Sequence, residues 1–105
     1  MNPQPFDVFL IQALFGLSVD RRPCIILEEP ADGRVRVALC SSAMDLYTSY
    51  EDFLIAETAS DFSATGLLRT SYVKSGTYER DVELLVRQLG RLEGELLEDF
   101  TDWLG

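Results

Sequence analysis

The chain has 105 residues, 47% of them hydrophobic and 26% charged, with a net charge of −9. This length fits one domain with a modest core that needs no disulfide or metal for stability. The chain contains no histidine, which excludes histidine-based catalytic triads and most zinc sites, because histidine is the usual base and the usual metal ligand. The excess of acids argues against generic nucleic-acid binding, which rests on lysine and arginine.

Two features of the sequence bear on the compartment. Cys24 and Cys40 are too few for a disulfide-rich secreted fold. The apolar run over residues 6–19 is interrupted by Asp7 and Gln12, follows no lysine or arginine, and is shorter than the ~20 residues that span a bilayer. We therefore expect a cytoplasmic protein that does not bind a membrane.

The first half of the chain predicts three strands. Residues 7–11 are apolar and rich in β-formers, which indicates a buried strand. Residues 16–21 are typical of a loop. Residues 24–28 and 34–39 flank the turn sequence Pro-Ala-Asp-Gly at 30–33, which predicts a β-hairpin.

The hairpin pattern also predicts where side chains lie. Arg34 and Arg36 alternate with valines, so both arginines should lie on the opposite face from the valines. Cys24 and Cys40 are nearly symmetric about the turn and are expected to face each other across the ladder. Two buried thiols is the favoured interpretation in a reducing cytoplasm, and a redox link is the alternative.

The second half predicts shorter elements and then a helix. Residues 45–50 are polar and irregular, and residues 53–56 fit a short strand. Ser60 is expected to cap one helical turn that Gly66 ends. Further strands are expected at 67–74 and 83–89.

The C-terminal tail changes to helical periodicity. Apolar residues recur at helical spacing, with acids on the other side; the apolar positions are Leu92, Leu96, Leu97, Phe100, Trp103 and Leu104. The sequence therefore predicts a mainly β fold with α, in which one amphipathic helix packs on a mostly antiparallel sheet. A strand-rich domain of this size often closes into a barrel.

Several short motifs occur in an order that resembles a known family. Asp7-Val8 opens a strand, and Arg21-Arg22-Pro23 precedes the apolar strand at 24–27. The next strand ends Leu39-Cys40-Ser41-Ser42, and Ala-Thr-Gly-Leu-Leu-Arg-Thr-Ser-Tyr-Val-Lys follows at 64–74. Gln-Leu-Gly-Arg-Leu at 88–92 leads into the helix. In this order the chain resembles the PemK/MazF-like toxins, the growth inhibitors of type II toxin–antitoxin systems.

The resemblance covers residues 1–105 as a single domain and implies fold and function together. It implies a small SH3-like antiparallel barrel with a C-terminal amphipathic helix, as in PemK, MazF and CcdB toxins. It also implies a homodimer, a cognate antitoxin protein, and cleavage of single-stranded RNA (mRNA) by a metal-independent endoribonuclease with no cofactor.

The resemblance also assigns residues to the site. Arg22 falls on the family's catalytic arginine before proline, and Ser41 falls where the family has threonine or serine. The chemistry is attack of a ribose 2′-OH on the adjacent phosphate, for which an arginine supplies a charged fork. Asp20 is a candidate general base. Arg21, acting by electrostatics alone, is the alternative, and Ser42 is a further accessory candidate.

The chain departs from the family pattern at three points. Phe6 stands where the family has a glycine before the opening acid, and Ser41 stands where threonine is common. Family toxins are often neutral or basic, whereas this chain is acidic. Eight of the 18 acids lie from Glu79 onward, five of them in the predicted helix, so the acids can lie away from an arginine-lined face.

The remaining cations are candidates for RNA contacts. Arg34, Arg36, Arg69 and Lys74 are the predicted RNA-binding residues. They could line one groove together with further cations and aromatic side chains that stack on bases; these are Arg80, Arg87, Arg91, Tyr72 and Tyr78. Surface ion pairs with interleaved acids, Glu79, Asp81 and Glu83, are the competing interpretation.

Two other functions compete with the ribonuclease. The net charge favours a catalytically degenerate barrel that acts as a protein-binding module, because repulsion slows RNA association. The ending Trp103-Leu104-Gly105 faintly resembles the tail of CcdB-like, gyrase-directed inhibitors. Convergence of Arg22, Ser41 and other arginines on one face would favour RNA, whereas ion pairs from Arg22 to Asp20 or Glu28 would count against it.

Overall fold

The computed structural model describes residues 2–15 and 18–105. An antiparallel sheet and a C-terminal helix, α1 (Gly94–Leu104), form most of it. The strands are β1 (Asp7–Phe15), β2 (Ser18–Ile26), β3 (Arg34–Ser41), β4 (Phe53–Ile55), β5 (Ser71–Val73), β6 (Tyr78–Asp81) and β7 (Leu85–Arg91). Short 3₁₀ turns lie at Met44–Leu46, Ser63–Thr65 and Val82–Leu84.

The sheet places neighbouring strands in the order β4-β5-β3-β2-β1-β7, and β6 pairs with β3. Every strand pairing is antiparallel. Within the described residues β4 and β7 lie at the two ends and do not pair with each other. The predicted mainly β class with a C-terminal helix is therefore confirmed, and the sheet is open.

The predicted β2–β3 hairpin is confirmed. Ile26 pairs with Val37, and the turn between the strands contains Asp32 and Gly33 at φ 53° and 73°. These left-handed backbone angles are the reason that an Asp-Gly sequence suits this turn. Arg34 is exposed and Val37 is buried, so the predicted division of the two faces is also correct.

The predicted facing of the two cysteines is wrong, although both are buried free thiols. Cys24 pairs with Leu39, so those two side chains share one face of the sheet. Cys40 is the next residue and therefore lies on the other face, in a different apolar cluster. Symmetry about the turn misleads here because a shift of one residue moves a side chain to the opposite face.

The core consists of two apolar clusters on opposite faces of the central strands. Val8 and Ile25 belong to the cluster that packs under α1, and Phe9 and Cys24 belong to the other. Adjacent residues of β1 and β2 are therefore buried on both sides. This double burial explains why these segments are continuous apolar runs rather than alternating ones.

The predicted amphipathic helix is confirmed as α1. Leu96 and Phe100 are buried against the sheet, and the Phe100 ring centroid lies 5.4 Å from that of Phe53. The acids of the helix are exposed. Asp61 accepts a hydrogen bond from the backbone N–H of Glu95 at 3.0 Å, which satisfies one of the free donors of the first turn.

The prediction of a loop at residues 16–21 is wrong for residues 18–21, the part of that range that the structure describes. Residues 18–21 belong to β2, and Gly16 and Leu17 lie outside the described residues. The β1–β2 ladder includes the exposed pair Gln12 and Arg21 and continues as far as Phe15 and Ser18. Asp20 and Arg21 are exposed strand residues, and their polarity is the reason that the sequence predicts a loop here.

The second half differs from expectation in the extent of its elements. The strand expected at 67–74 contracts to β5, and the one expected at 83–89 lies at 85–91. The strand at 53–56 is confirmed as β4, whereas β6 was not predicted. Gly66 ends a 3₁₀ turn as expected, but that turn begins after Phe62 rather than at a Ser60 cap.

Candidate arginine groove

Arg22 and Ser41 lie at the point where β3 leaves β2. The β2–β3 ladder ends at the pair Cys24–Leu39, and from Cys40 onward β3 pairs with β5. Pro23 has no N–H to donate to a ladder, which fits the end of the pairing there. The register of the ladder, continued by two residues, sets Arg22 level with Ser41.

Arg22 and Ser41 each have a polar partner that is close in the sequence. The Arg22 Nε lies 3.5 Å from Asp20 Oδ2, and the other oxygen of Asp20 accepts the backbone N–H of Arg21 at 2.8 Å. Ser41 Oγ accepts the backbone N–H of Ala43 at 3.1 Å. Such local hydrogen bonds are typical of serine at a strand end.

A groove of about 510 Å³ opens on one side of the sheet. Its lining combines apolar residues, two serine hydroxyls and two arginines; the residues are Leu10, Pro23, Ser42, Gly66, Leu67, Leu68, Arg69, Ser71, Arg87 and Leu89. We call this site the arginine groove. It contains no carboxylate among its lining residues, although the chain carries 18 acids.

The sheet register explains how the arginine groove forms. Leu10 pairs with Pro23 on β2 and with Arg87 on β7, so all three side chains share a face. Arg22 is next to Pro23 and Ser41 is next to Ser42, so strand alternation turns both away from this face. Neither Arg22 nor Ser41 lines the groove, whereas the predicted accessory residue Ser42 does.

The two groove arginines are exposed and make no side-chain hydrogen bond or ion pair within residues 2–15 and 18–105. Arg69 follows Leu68, whose side chain is 90% exposed at the groove. Arg87 lies between two irregularities in the β1–β7 pairing, which fall next to Leu10 and Val8. Bulges of this kind re-aim side chains, so the direction of Arg87 could not be derived from alternation in the sequence.

A tight backbone contact closes one side of the arginine groove. A Cβ built on Gly66 would lie 2.0 Å from the carbonyl oxygen of Leu89, and one on Gly90 would lie 2.1 Å from that of Ala64. Only glycine allows the 3₁₀ turn and β7 to approach this closely. Gly66 and Gly90 therefore shape the groove by allowing this close backbone contact.

The other predicted RNA contacts do not join the arginine groove. Arg34 Nη1 lies 2.8 Å from Asp81 Oδ1, and Arg36 Nη2 lies 3.5 Å from Glu79 Oε2 across the β3–β6 pairing. For these two arginines the ion-pair interpretation is correct. Lys74 is exposed and does not line the groove.

The remaining basic and aromatic candidates are also held elsewhere. Arg80 lies over the Tyr78 ring, 4.9 Å from its centroid, and Arg91 Nη1 lies 4.0 Å from Asp7 Oδ1. Tyr72 is fully buried, with its ring centroid 5.7 Å from that of Tyr47. Tyr72 therefore offers no exposed face for a base.

The thiols of Cys24 and Cys40 are unreactive at neutral pH. Burial raises the pKa of Cys24 to about 12 and raises the pKa of Cys40 further, because Cys40 is more deeply buried and the Cys24 thiol lies nearby. Both remain protonated at neutral pH, which makes them poor nucleophiles.

Nowhere in the described ranges do three or more histidine, cysteine or acidic side chains gather as a metal site. The described helix is too short and too polar to cross a membrane. Comparison of the chain with family models and with curated proteins finds no match to either.

Proposed function

We propose that the chain is the toxin of a type II toxin–antitoxin system, which cleaves single-stranded RNA without a metal ion, and that the arginine groove holds the RNA. The PemK/MazF-like motifs quoted above motivate the activity. The open antiparallel sheet with its C-terminal helix is compatible with an SH3-like barrel of that family. A homodimer and an antitoxin partner belong to the same proposal.

The observation that carries the proposal is the arginine groove itself. Arg69 and Arg87 present guanidinium groups there with no acid among the lining residues. Phosphodiester oxygens are good partners for unpaired guanidinium groups. The exposed apolar side chains of the groove, such as Leu68, suit the faces of unstacked bases. Local concentration of positive charge therefore offsets the net charge of −9.

The reaction needs few groups from the protein. The ribose 2′-oxygen attacks phosphorus and the bond to the 5′-oxygen breaks, which leaves a 2′,3′-cyclic phosphate and a 5′-hydroxyl. One proton must leave the 2′-hydroxyl and one must reach the 5′-oxygen. An arginine beside the phosphate stabilises the charge that develops; Arg69 and Arg87 line the groove for this role.

Arg22 remains the candidate from the family motif. Its ion pair with Asp20 is partly exposed, with 34% and 56% of the two side chains accessible. An ion pair of this kind stabilises by less than about 1 kcal/mol, so the contact with Asp20 alone would not keep Arg22 from binding a phosphate. Strand alternation turns Asp20, like Arg22, away from the arginine groove, so the freed carboxylate would be the general base only for a phosphate on that opposite face.

The same ion pair favours a second candidate function, a protein-binding module without catalysis. An arginine held by Asp20 and turned from the groove leaves the family motif without its catalytic contact. The gyrase-directed alternative gains nothing from the tail, because Trp103 packs on Phe53 and Phe100 and its Nε1 donates to the Glu51 carbonyl.

The test compares RNA affinity and cleavage in EDTA for the wild type, Arg69→Ala and Arg87→Ala. Each groove variant should bind single-stranded RNA about tenfold more weakly, which corresponds to one lost charged hydrogen bond. Each should also reduce the slope of log affinity against log salt by about 0.7. Arg34→Ala is the matched control, because Arg34 is exposed and already paired with acids. Equal losses of RNA affinity in Arg69→Ala, Arg87→Ala and Arg34→Ala would contradict the proposal that the arginine groove binds RNA.

A further inference from the structure

A second concavity lies at the C-terminal end of α1 and shares no lining residue with the arginine groove. It has a volume of about 410 Å³, and its walls include Ala38, Tyr50, Glu51, Thr77, Trp103 and Leu104. We call it the tryptophan concavity. The RNA proposal makes no use of it.

Two of the large side chains that line the tryptophan concavity are exposed. Tyr50 is fully exposed (100%) and Leu104 is 41% exposed. Trp103 is half-buried and its indole is fixed, because Nε1 donates to the Glu51 carbonyl oxygen at 3.1 Å. Fixed aromatic side chains that already have a set orientation lose little entropy when a partner binds.

Acids outnumber cations among the residues that line the tryptophan concavity and their neighbours along the chain. Glu51 lines it, Asp52 is the next residue, and Asp99 and Asp102 precede Trp103 on α1 by four positions and one position. The cations nearby are Lys74, which precedes the lining residue Ser75, and Arg36, which donates to Thr77 Oγ1 but is paired with Glu79.

We propose that the tryptophan concavity binds a basic segment of a partner protein, which inserts an apolar side chain beside Trp103. Charge complementarity selects this occupant, because Glu51 in the lining and the acids that neighbour it and Trp103 along the chain would attract lysine and arginine on the segment. A second copy of the chain fits poorly, since it would bring the same acids against one another. The interaction requires no RNA and is independent of the arginine groove.

The experiment uses the intrinsic fluorescence of the protein. The chain contains one tryptophan, so its emission reports on the tryptophan concavity alone. The probe is a short synthetic peptide of lysines around a central leucine. The matched peptide carries glutamates in place of the lysines. We expect the basic peptide to shift the emission with an affinity that falls as salt rises, and the acidic peptide to leave it unchanged.

Two variants make the test specific. Tyr50→Ala should weaken binding of the basic peptide about tenfold, as for a central aromatic contact, and its full exposure leaves folding unaffected. Tyr78→Ala is the control, because Tyr78 is an exposed tyrosine that lies outside the concavity. Equal response to both peptides, no response to either, or equal effects of the two variants would overturn the proposal. Self-association of the protein that Tyr50→Ala abolishes would also overturn it, with a second copy as the occupant.

Discussion

At Phe6 we predict that the glycine variant is more stable than the alanine variant, which is the reverse of the usual order in a strand or helix. Phe6 has φ 73°, in the left-handed region that glycine tolerates best. Its N–H donates to Ile26 and its carbonyl accepts from Leu92, so the conformation is held from both sides. The side chain is half-buried, and its ring meets Phe100 edge-on at 6.1 Å.

The magnitude follows from two opposing contributions. Phe6→Ala and Phe6→Gly both remove the ring, and for a half-buried ring we expect a loss of about 2 kcal/mol, roughly half the cost of truncating a buried phenylalanine. Alanine keeps the left-handed strain of about 1–2 kcal/mol, whereas glycine relieves it. Glycine loses roughly 0.5–1 kcal/mol through its more flexible unfolded chain. The glycine variant should therefore be more stable than the alanine variant by about 0.5–1 kcal/mol.

Urea unfolding followed by tryptophan emission measures this difference. Leu54 is the control position, because it is an exposed strand residue and is absent from the residues with positive φ. There glycine should be less stable than alanine by roughly 0.5–1 kcal/mol. A glycine variant at position 6 that is no more stable than the alanine variant would refute the reasoning.

Two further predictions concern the groove wall and the thiols. Gly66→Ala should cost about 1–3 kcal/mol more than Gly76→Ala in urea unfolding, because both positions have positive φ but only at Gly66 would the Cβ meet the Leu89 backbone; equal costs would contradict the close approach. The raised thiol pKa values mean that the folded state holds protons which the unfolded state releases above its value of 9.0. Stability should therefore fall between pH 9 and 12, more steeply in the wild type than in a Cys24→Ala/Cys40→Ala double variant. Parallel pH curves for the two proteins would show that the thiols are not the cause.

The sequence predicts an element correctly where the signal for that element lies in neighbouring residues. The Asp32-Gly33 turn and the apolar stripe of α1 predicted the hairpin and the helix. Both signals arise from local backbone geometry or from periodicity. The left-handed backbone at Phe6 carries no such signal, because phenylalanine does not favour a positive φ.

The arginine groove could be predicted only in part, because its formation depends on register. Arg69 was among the predicted RNA contacts, and Arg87 was named only as one of several further cations, because irregular pairing with β1 sets its direction. In the sequence Arg34 and Arg36 are equally suitable RNA contacts. In the structure the unpredicted strand β6 places Glu79 and Asp81 beside them as ion-pair partners. Sequence patterns carry no information on which distant strand pairs at a given edge.

The central claim is that the chain cleaves single-stranded RNA without a metal ion. The most direct measurement incubates the wild-type protein in EDTA with a mixed-sequence single-stranded RNA and with the DNA of the same sequence. We predict RNA fragments that end in a 2′,3′-cyclic phosphate and intact DNA, because the attacking 2′-hydroxyl is part of the substrate. Intact RNA under these conditions, or equal cleavage of the DNA, would contradict the account.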